Sequence, residues 1–173
     1  MKKNIKFFLF CIIMLISTQV KSEVKVAFIE MDKLINSSIV GASLIKQLNA
    51  IDTRNRKNFD EIKKKLNLKK KKINSQMNVL SEEEYKKKVS NLNKEFEDFK
   101  EKGKKEIQSL EKKRVIAMKK ILGQINLILS KYSEENQLTF IIDQKNIIIG
   151  QTNLNVTDEI LKKLNSKLKK ISL

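Results

Sequence analysis

Lysine is the residue type in this sequence with the clearest capacity to bind a partner. Ten lysines lie between Lys63 and Lys88, where the only acids are Glu82, Glu83 and Glu84. Ammonium groups at this density attract anionic partners over long range, and apolar side chains among them can supply contacts once a partner has arrived. The candidate binding residues of this stretch are Lys63, Lys64, Lys69, Lys70, Lys71, Lys72, Met77, Val79, Leu80, Lys86 and Lys87.

The placement of the charge carries more information than its amount. Abundant Lys, Ile and Asn is typical of AT-rich coding DNA, and such a bias is an alternative explanation for part of the lysine count. The bias does not explain the distribution, because residues 52–120 carry 23 basic and 12 acidic residues, a net charge of +11, out of +13 for everything after residue 22. The positive field therefore belongs to the middle of the chain.

Residues for enzymatic chemistry are missing from this sequence. It has no histidine, and its single cysteine, Cys11, lies near the start, so catalytic triads, thiol nucleophiles and the usual zinc sites are excluded. Four dispersed glycines cannot form a phosphate-binding loop. The acids Glu82 to Glu84 suit a helix N-terminus better than a cation site. We therefore predict a binding protein that is not an enzyme and uses no cofactor or metal.

The first 22 residues have the pattern of an export signal. Three early lysines precede the apolar run Phe7–Ile16, and small residues near Ser22 suit cleavage. A retained membrane anchor is the alternative, but ten apolar residues fall short of the ~20 needed to span a bilayer. Lipid attachment at Cys11 is disfavoured by the bulky Phe10 before it. We expect the exported chain to begin near Glu23 without any thiol.

Long amphipathic helices must carry the lysines. Residues 44–129 contain no proline and repeat apolar residues every three or four positions. Ser81 and Glu84 form the capping-box pattern S-x-x-E, so we predict two antiparallel helices that turn near residues 78–81, the first running from about Ala42 to Asn78. Lys69 occupies a skipped core position. The arm spans residues 52–114, and its return helix has a coiled-coil heptad: Tyr85, Val89, Leu92, Phe96, Phe99 and Gly103.

The two ends of the chain form a small body, residues 23–51 and 115–173. One strand is expected at residues 23–30, a β-hairpin from Leu138–Ile142 and Ile147–Ile149, and a closing helix from Thr157. The predicted fold class is α+β, mostly α. The strands are apolar on both faces, and so small a body can hardly bury both alone. We therefore predict an oligomeric β-core built from Val24, Val26, Phe28, Phe140, Ile142 and Ile148.

Two motifs at the ends of the exported chain resemble the Skp (OmpH) family of periplasmic chaperones. The run from Val26 to Ile35, followed by Ser37, Ser38 and Gly41, is similar to the family's opening strand and its S-x-x-G start of the first helix. The run from Asn155 to Asn165 is similar to the closing D-x-T-D-x-V-L-x-x-L-N signature. Glu30 stands where the family favours Asp or Asn, and Asn155 where it favours Asp.

The resemblance implies a homotrimer in the periplasm of a Gram-negative bacterium, whose helical arms surround unfolded outer-membrane proteins without using ATP. A structural or adaptor coiled coil of the cell envelope is the alternative. A polyanion-binding protein is a further one, with lipopolysaccharide or anionic lipid as candidate partners. No physiological role in nucleic-acid binding is expected, because arginine is rare, no aromatic stacking platform is evident and the chain carries an export signal.

Overall fold

A computed structural model describes residues 24–173, and the expected export signal, with Cys11, lies outside that range. The elements run in the order β1 (Val26–Ile29), α1 (Met31–Ser37), α2 (Ile39–Ser75), α3 (Glu82–Asn136), β2 (Phe140–Asp143) and α4 (Thr157–Lys167), with single 3₁₀ turns at Gln144–Asn146 and Thr152–Leu154. The predicted fold class is confirmed: the chain is mostly helical, with two long antiparallel helices and a small sheet.

The long helices begin and end near their expected residues. Helix α2 starts at Ile39 and ends at Ser75, three residues earlier than predicted at each end. Helix α3 starts at Glu82 after the predicted capping box, in which Ser81 Oγ accepts from the Glu84 amide at 3.3 Å. Helix α3 contains 55 residues and is ~80 Å long at 1.5 Å per residue. Within the described part of the chain, no helix is both long and apolar enough to cross a membrane.

Gly41 and Ser38 position the first long helix against α1. The Ser38 hydroxyl is fully buried, donates to the Ile35 carbonyl at 2.9 Å and accepts from the Gly41 amide at 3.0 Å. A Cβ on Gly41 would lie only 1.8 Å from the Ile35 oxygen, which is an impossible contact. The S-x-x-G motif thus has a structural cause: serine caps α2, and glycine lets the end of α1 approach.

The body core lies between β1, the C-terminal half of α3 and α4. Its sheet has two parallel strands, with Val26 opposite Phe140 and Phe28 opposite Ile142. The fully or nearly buried residues that fill the core are Ala27, Ile29, Leu34, Val40, Leu44, Ala117, Ile121, Ile125, Ile128, Tyr132, Val156, Ile160, Leu164 and Ile171.

The predicted β-hairpin is wrong. The segment Leu138–Ile142 forms strand β2 in part, but Ile147–Ile149 is not a strand and does not pair with it. The Asp143 side chain accepts from the Lys145 amide at 3.2 Å and starts a 3₁₀ turn, which leads the chain away from β2. Strand β1 is instead lined on its other edge by Asn155. The sheet therefore depends on distant pairings that no local turn signals.

Candidate binding surfaces of the arm and the body

The distal arm, residues 62–99 on both sides of the turn between α2 and α3, is closed by a thin apolar seam. Only Leu66, Ile73 and Leu92 are buried there. The half-buried residues around them are Ile62 of α2 and four residues of the predicted heptad, Tyr85, Val89, Phe96 and Phe99. These three buried side chains hold the two helices together along this stretch, so most of each helix surface remains in water.

Lys69 fills the skipped position of the seam with an ion pair. Its ammonium group contacts the Glu95 carboxylate of the return helix, and this is the one salt bridge between α2 and α3 among residues 24–173. The aliphatic stem of a lysine can lie along an apolar seam while its charge reaches the edge. The missing core residue is therefore replaced by a partly exposed charge pair, which contributes less than a buried leucine.

All eight candidate lysines of the arm are exposed, as are Met77 and Val79, while Leu80 is half-buried. The exposed fractions of Met77 and Val79 are 60% and 84%, so both lie outside the seam. Met77, Val79 and Leu80 lie in the turn between the two helices, next to the three acids that begin α3, Glu82 to Glu84.

Two features of the distal arm were missed from the sequence. Leu68 is 58% exposed and is surrounded along its helix by Lys64, Lys65, Lys71 and Lys72, at the three- and four-residue spacings that share a face. Lys88 donates to the Gln76 side chain at 3.3 Å and, with other residues of the two helices, borders a cleft of about 240 Å³. Leu68 was hidden because one apolar residue in a lysine run makes no periodic pattern.

The six residues predicted to form the oligomeric β-core differ in exposure. Phe28 is buried within the single chain at 6% exposure, with its ring beside Gly150, and Val26 is half-buried. The other four are exposed on the outer side of the sheet and its flanking segments: Val24 (60%), Phe140 (57%), Ile142 (37%) and Ile148 (100%). One face of the sheet therefore packs on the core, while the other presents apolar side chains to solvent.

Tyr132 joins α3 to the closing helix. Its hydroxyl donates to the Glu159 carboxylate at 2.8 Å, and Lys163 lies 5.7 Å from the ring centroid. Burial, reinforced by the hydrogen bond to Glu159, raises the pKa of Tyr132 to about 12. This contact stabilises the body.

The part of the chain that the structure describes contains no group of three or more His, Cys, Asp or Glu residues that could hold a metal ion.

Two comparisons with known proteins bear on this arrangement. Residues 25–164 match the family described as "Outer membrane protein (OmpH-like)". The chain also resembles the crystal structure of a protein from Caulobacter crescentus CB15 described as an OmpH-like outer membrane chaperone, with a TM-score of 0.82. That match has 13% sequence identity and covers 91% of this chain and 93% of the other, which shows a shared fold. A search of curated proteins found no match. Because the family match spans most of the sequence, this chain belongs to the OmpH-like family, as its opening and closing motifs predicted.

Proposed function

We propose that this protein is a periplasmic, ATP-independent holdase chaperone that binds unfolded outer-membrane proteins and prevents their aggregation. Membership of the OmpH-like family supports the proposal. The observation that carries it for this chain is the distal arm, where a seam of three buried residues leaves a dense set of lysines in solvent. The protein acts in this proposal by binding alone, without catalysis or cofactor.

The proposed mechanism separates capture from holding. Unfolded outer-membrane proteins are often acidic, so the lysines of the arm attract them and raise the rate of encounter. The exposed Met77 and Val79 and the half-buried Leu80 then provide weak, adaptable contacts near the tip. A thin seam lets the arm bend, which suits clients of different sizes. Many weak contacts hold a client without fixing its conformation.

We further propose that three chains assemble through the outer face of the sheet, so that several arms surround one client. The support from this chain is the exposure of Phe140, Ile142 and Ile148 on one side of the body, an apolar patch of the kind that marks protein interfaces. Light scattering of the exported form, which begins near Glu23, tests this assembly. A single chain that stays monomeric at all concentrations would contradict it.

An aggregation assay tests the proposed function. A denatured outer-membrane protein is diluted from urea into buffer with increasing amounts of the exported form, without nucleotide, and light scattering by the client is followed. We expect suppression that saturates at a fixed ratio of chaperone to client. A matched assay with a denatured cytosolic protein of similar size shows how far the effect depends on the client.

A structural or adaptor protein of the cell envelope is the second candidate, favoured by the regular heptad of the return helix. It predicts one stable partner at fixed stoichiometry and no suppression of aggregation. Binding to lipopolysaccharide, anionic lipid or nucleic acid is a third candidate, supported by the lysine content alone. Affinity for DNA in vitro would not favour it, because a surface of this charge binds any polyanion.

A further inference from the structure

The two arm helices do not close on each other between the distal seam and the body core. Two clefts of about 370 and 560 Å³ lie end to end there and share Asp52 and Leu110. A third cleft, of about 540 Å³, continues along α3 and shares Met118 with the first. We call the three together the junction groove. Its main apolar residues are Phe59, Phe99, Ile107, Leu110, Val115 and Met118.

The junction groove is only partly covered by the rest of the chain. Ile107 and Val115 are 72% and 56% exposed, although both lie on the half of α3 that is apolar around much of its circumference. Phe59 and Phe99 contact each other edge to face at 5.6 Å between ring centroids and close the distal end. Contiguous exposed apolar surface of this kind marks a binding site.

The charges at the rim of the groove compensate each other, unlike those of the distal arm. Asp52 accepts from Arg56 at 2.8 Å, and Glu111 lies 4.0 Å from Arg114. The groove therefore suits an apolar segment with little net charge. The lysines beyond it suit the anionic remainder of the same partner, so the two surfaces complement different parts of one chain.

The length of the groove matches one strand of a membrane barrel. Phe99 and Leu122 bound it and are 23 residues apart on α3, which corresponds to ~35 Å along a helix. A barrel strand of ~10 residues extends ~33 Å and carries apolar side chains at alternate positions. We propose that the junction groove holds one extended, apolar segment of an unfolded outer-membrane protein. This assignment rests on the proposed function and adds the place where the client is retained.

Site-specific photo-crosslinking tests the assignment directly. A photoreactive phenylalanine analogue is placed at position 107 in the full exported protein, and the complex with a denatured outer-membrane protein is irradiated. The matched control is position 127, because Leu127 is exposed to 66% and lies on the opposite side of the same helix, as its 20-residue offset implies. We expect client crosslinks from position 107, concentrated in predicted barrel strands, and few from position 127.

Two substitutions give a second readout. Ile107→Asp places a charge in the groove at an exposed position, so folding and oligomeric state, checked by circular dichroism and light scattering, are retained. We expect client dissociation to accelerate about tenfold or more, since burial of an isoleucine side chain is lost. Leu127→Asp should stay within about twofold of the unmodified protein. Val115→Asp repeats the test should Ile107→Asp alter the assembly.

The outcomes separate this inference from the proposed function. Suppose that the unmodified protein suppresses aggregation, and that Ile107→Asp and Val115→Asp dissociate from the client as slowly as the unmodified protein does. The groove assignment is then wrong and the holdase proposal stands. Crosslinks from position 107 that join two copies of this chain would also overturn the assignment, because the groove would then be an interface between subunits. Failure of the unmodified protein to suppress aggregation counts against the holdase proposal itself.

Discussion

The side-chain amide of Asn155 donates a hydrogen bond to the Glu30 carboxylate, with Nδ2 and Oε1 2.9 Å apart. At both positions the sequence departs from the pattern of the family it resembles. The amide oxygen of Asn155 also accepts from the backbone amide of Thr157 at 3.0 Å, and the Thr157 hydroxyl accepts from the Glu30 amide at 2.8 Å. The Asn155 amide therefore compensates the Glu30 carboxylate in this chain, because two carboxylates at the Glu30–Asn155 distance would repel.

Asn155→Asp tests this compensation. We expect the free energy of unfolding to fall by about 1–2 kcal/mol, since the donor to Glu30 is lost and two carboxylates face each other. Urea unfolding at matched protein concentration measures the change. The control is Glu30→Gln added to the same variant, which removes the repulsion and should recover most of the loss. Equal stability of Asn155→Asp and the unmodified protein would refute the account.

Gly41→Ala tests the contact between α1 and α2. A Cβ there would meet the Ile35 oxygen at 1.8 Å, so the helices must separate, and we expect a loss of about 2 kcal/mol or more. Gly123→Ala is a matched control within α3, because nothing lies within 4 Å of its added Cβ. It should gain about 0.5–1 kcal/mol from helix propensity. Similar effects of the two substitutions on urea unfolding would contradict this reading.

Lys69→Leu tests the weak point of the distal seam. We expect greater protection of backbone amides from hydrogen exchange in the distal arm, because a buried leucine contributes more than a partly exposed ion pair. Lys71→Leu changes the same residue type on the outer face and should give no such gain. Lower protection in Lys69→Leu would show that the ion pair with Glu95 is the stronger contact. If the arm must bend to hold clients, Lys69→Leu should also narrow the range of client sizes that the protein keeps from aggregating.

Replacing Lys70, Lys71 and Lys72 by glutamate tests electrostatic capture while keeping the ion pair of Lys69. We expect the association rate with a denatured outer-membrane protein to fall about tenfold at low salt and to depend less on salt. Stopped-flow fluorescence of a labelled client measures this rate. The control is glutamate at Lys167, Lys169 and Lys170, which changes the net charge equally at the other end of the chain. The steering proposal fails if both variants associate equally fast.

The raised pKa of Tyr132 predicts a loss of folding stability at alkaline pH. Its pKa in the folded protein, about 12, exceeds the ordinary value of 10.0, so its contribution is complete below pH 10 and is lost as pH rises through 12. Other groups contribute equally to the unmodified protein and to Tyr132→Phe, so the informative quantity is the difference between the two. We expect this difference in urea-unfolding free energy to shrink across the window. A difference that stays constant with pH would contradict the assignment.

The sequence predicted the helical part of the fold well because its signals are local. Ser81 and Glu84 mark the start of α3, and the spacing from Tyr85 to Phe99 marks its seam. The sheet could not be predicted in the same way, because β1 pairs with a strand more than 100 residues away. The apolar run Ile147–Ile149 resembled a second hairpin strand, but it forms no strand and does not pair with β2.

The binding surfaces were only partly predictable for a related reason. Exposure of the arm lysines follows from a narrow seam, which periodicity reveals. The junction groove does not follow from periodicity, because Ile107 and Val115 have the spacing of core residues and are nevertheless exposed. Helix separation depends on packing at both ends of the arm, and no single segment of sequence encodes it.

We propose above that this protein holds unfolded outer-membrane proteins in soluble complexes without nucleotide. Analytical ultracentrifugation of the exported form mixed with one labelled, urea-denatured outer-membrane protein measures this directly. We expect the client to sediment as a single soluble species, bound to a fixed number of chains, in buffer free of nucleotide. A client that pellets as aggregate, while the protein sediments alone, would contradict it.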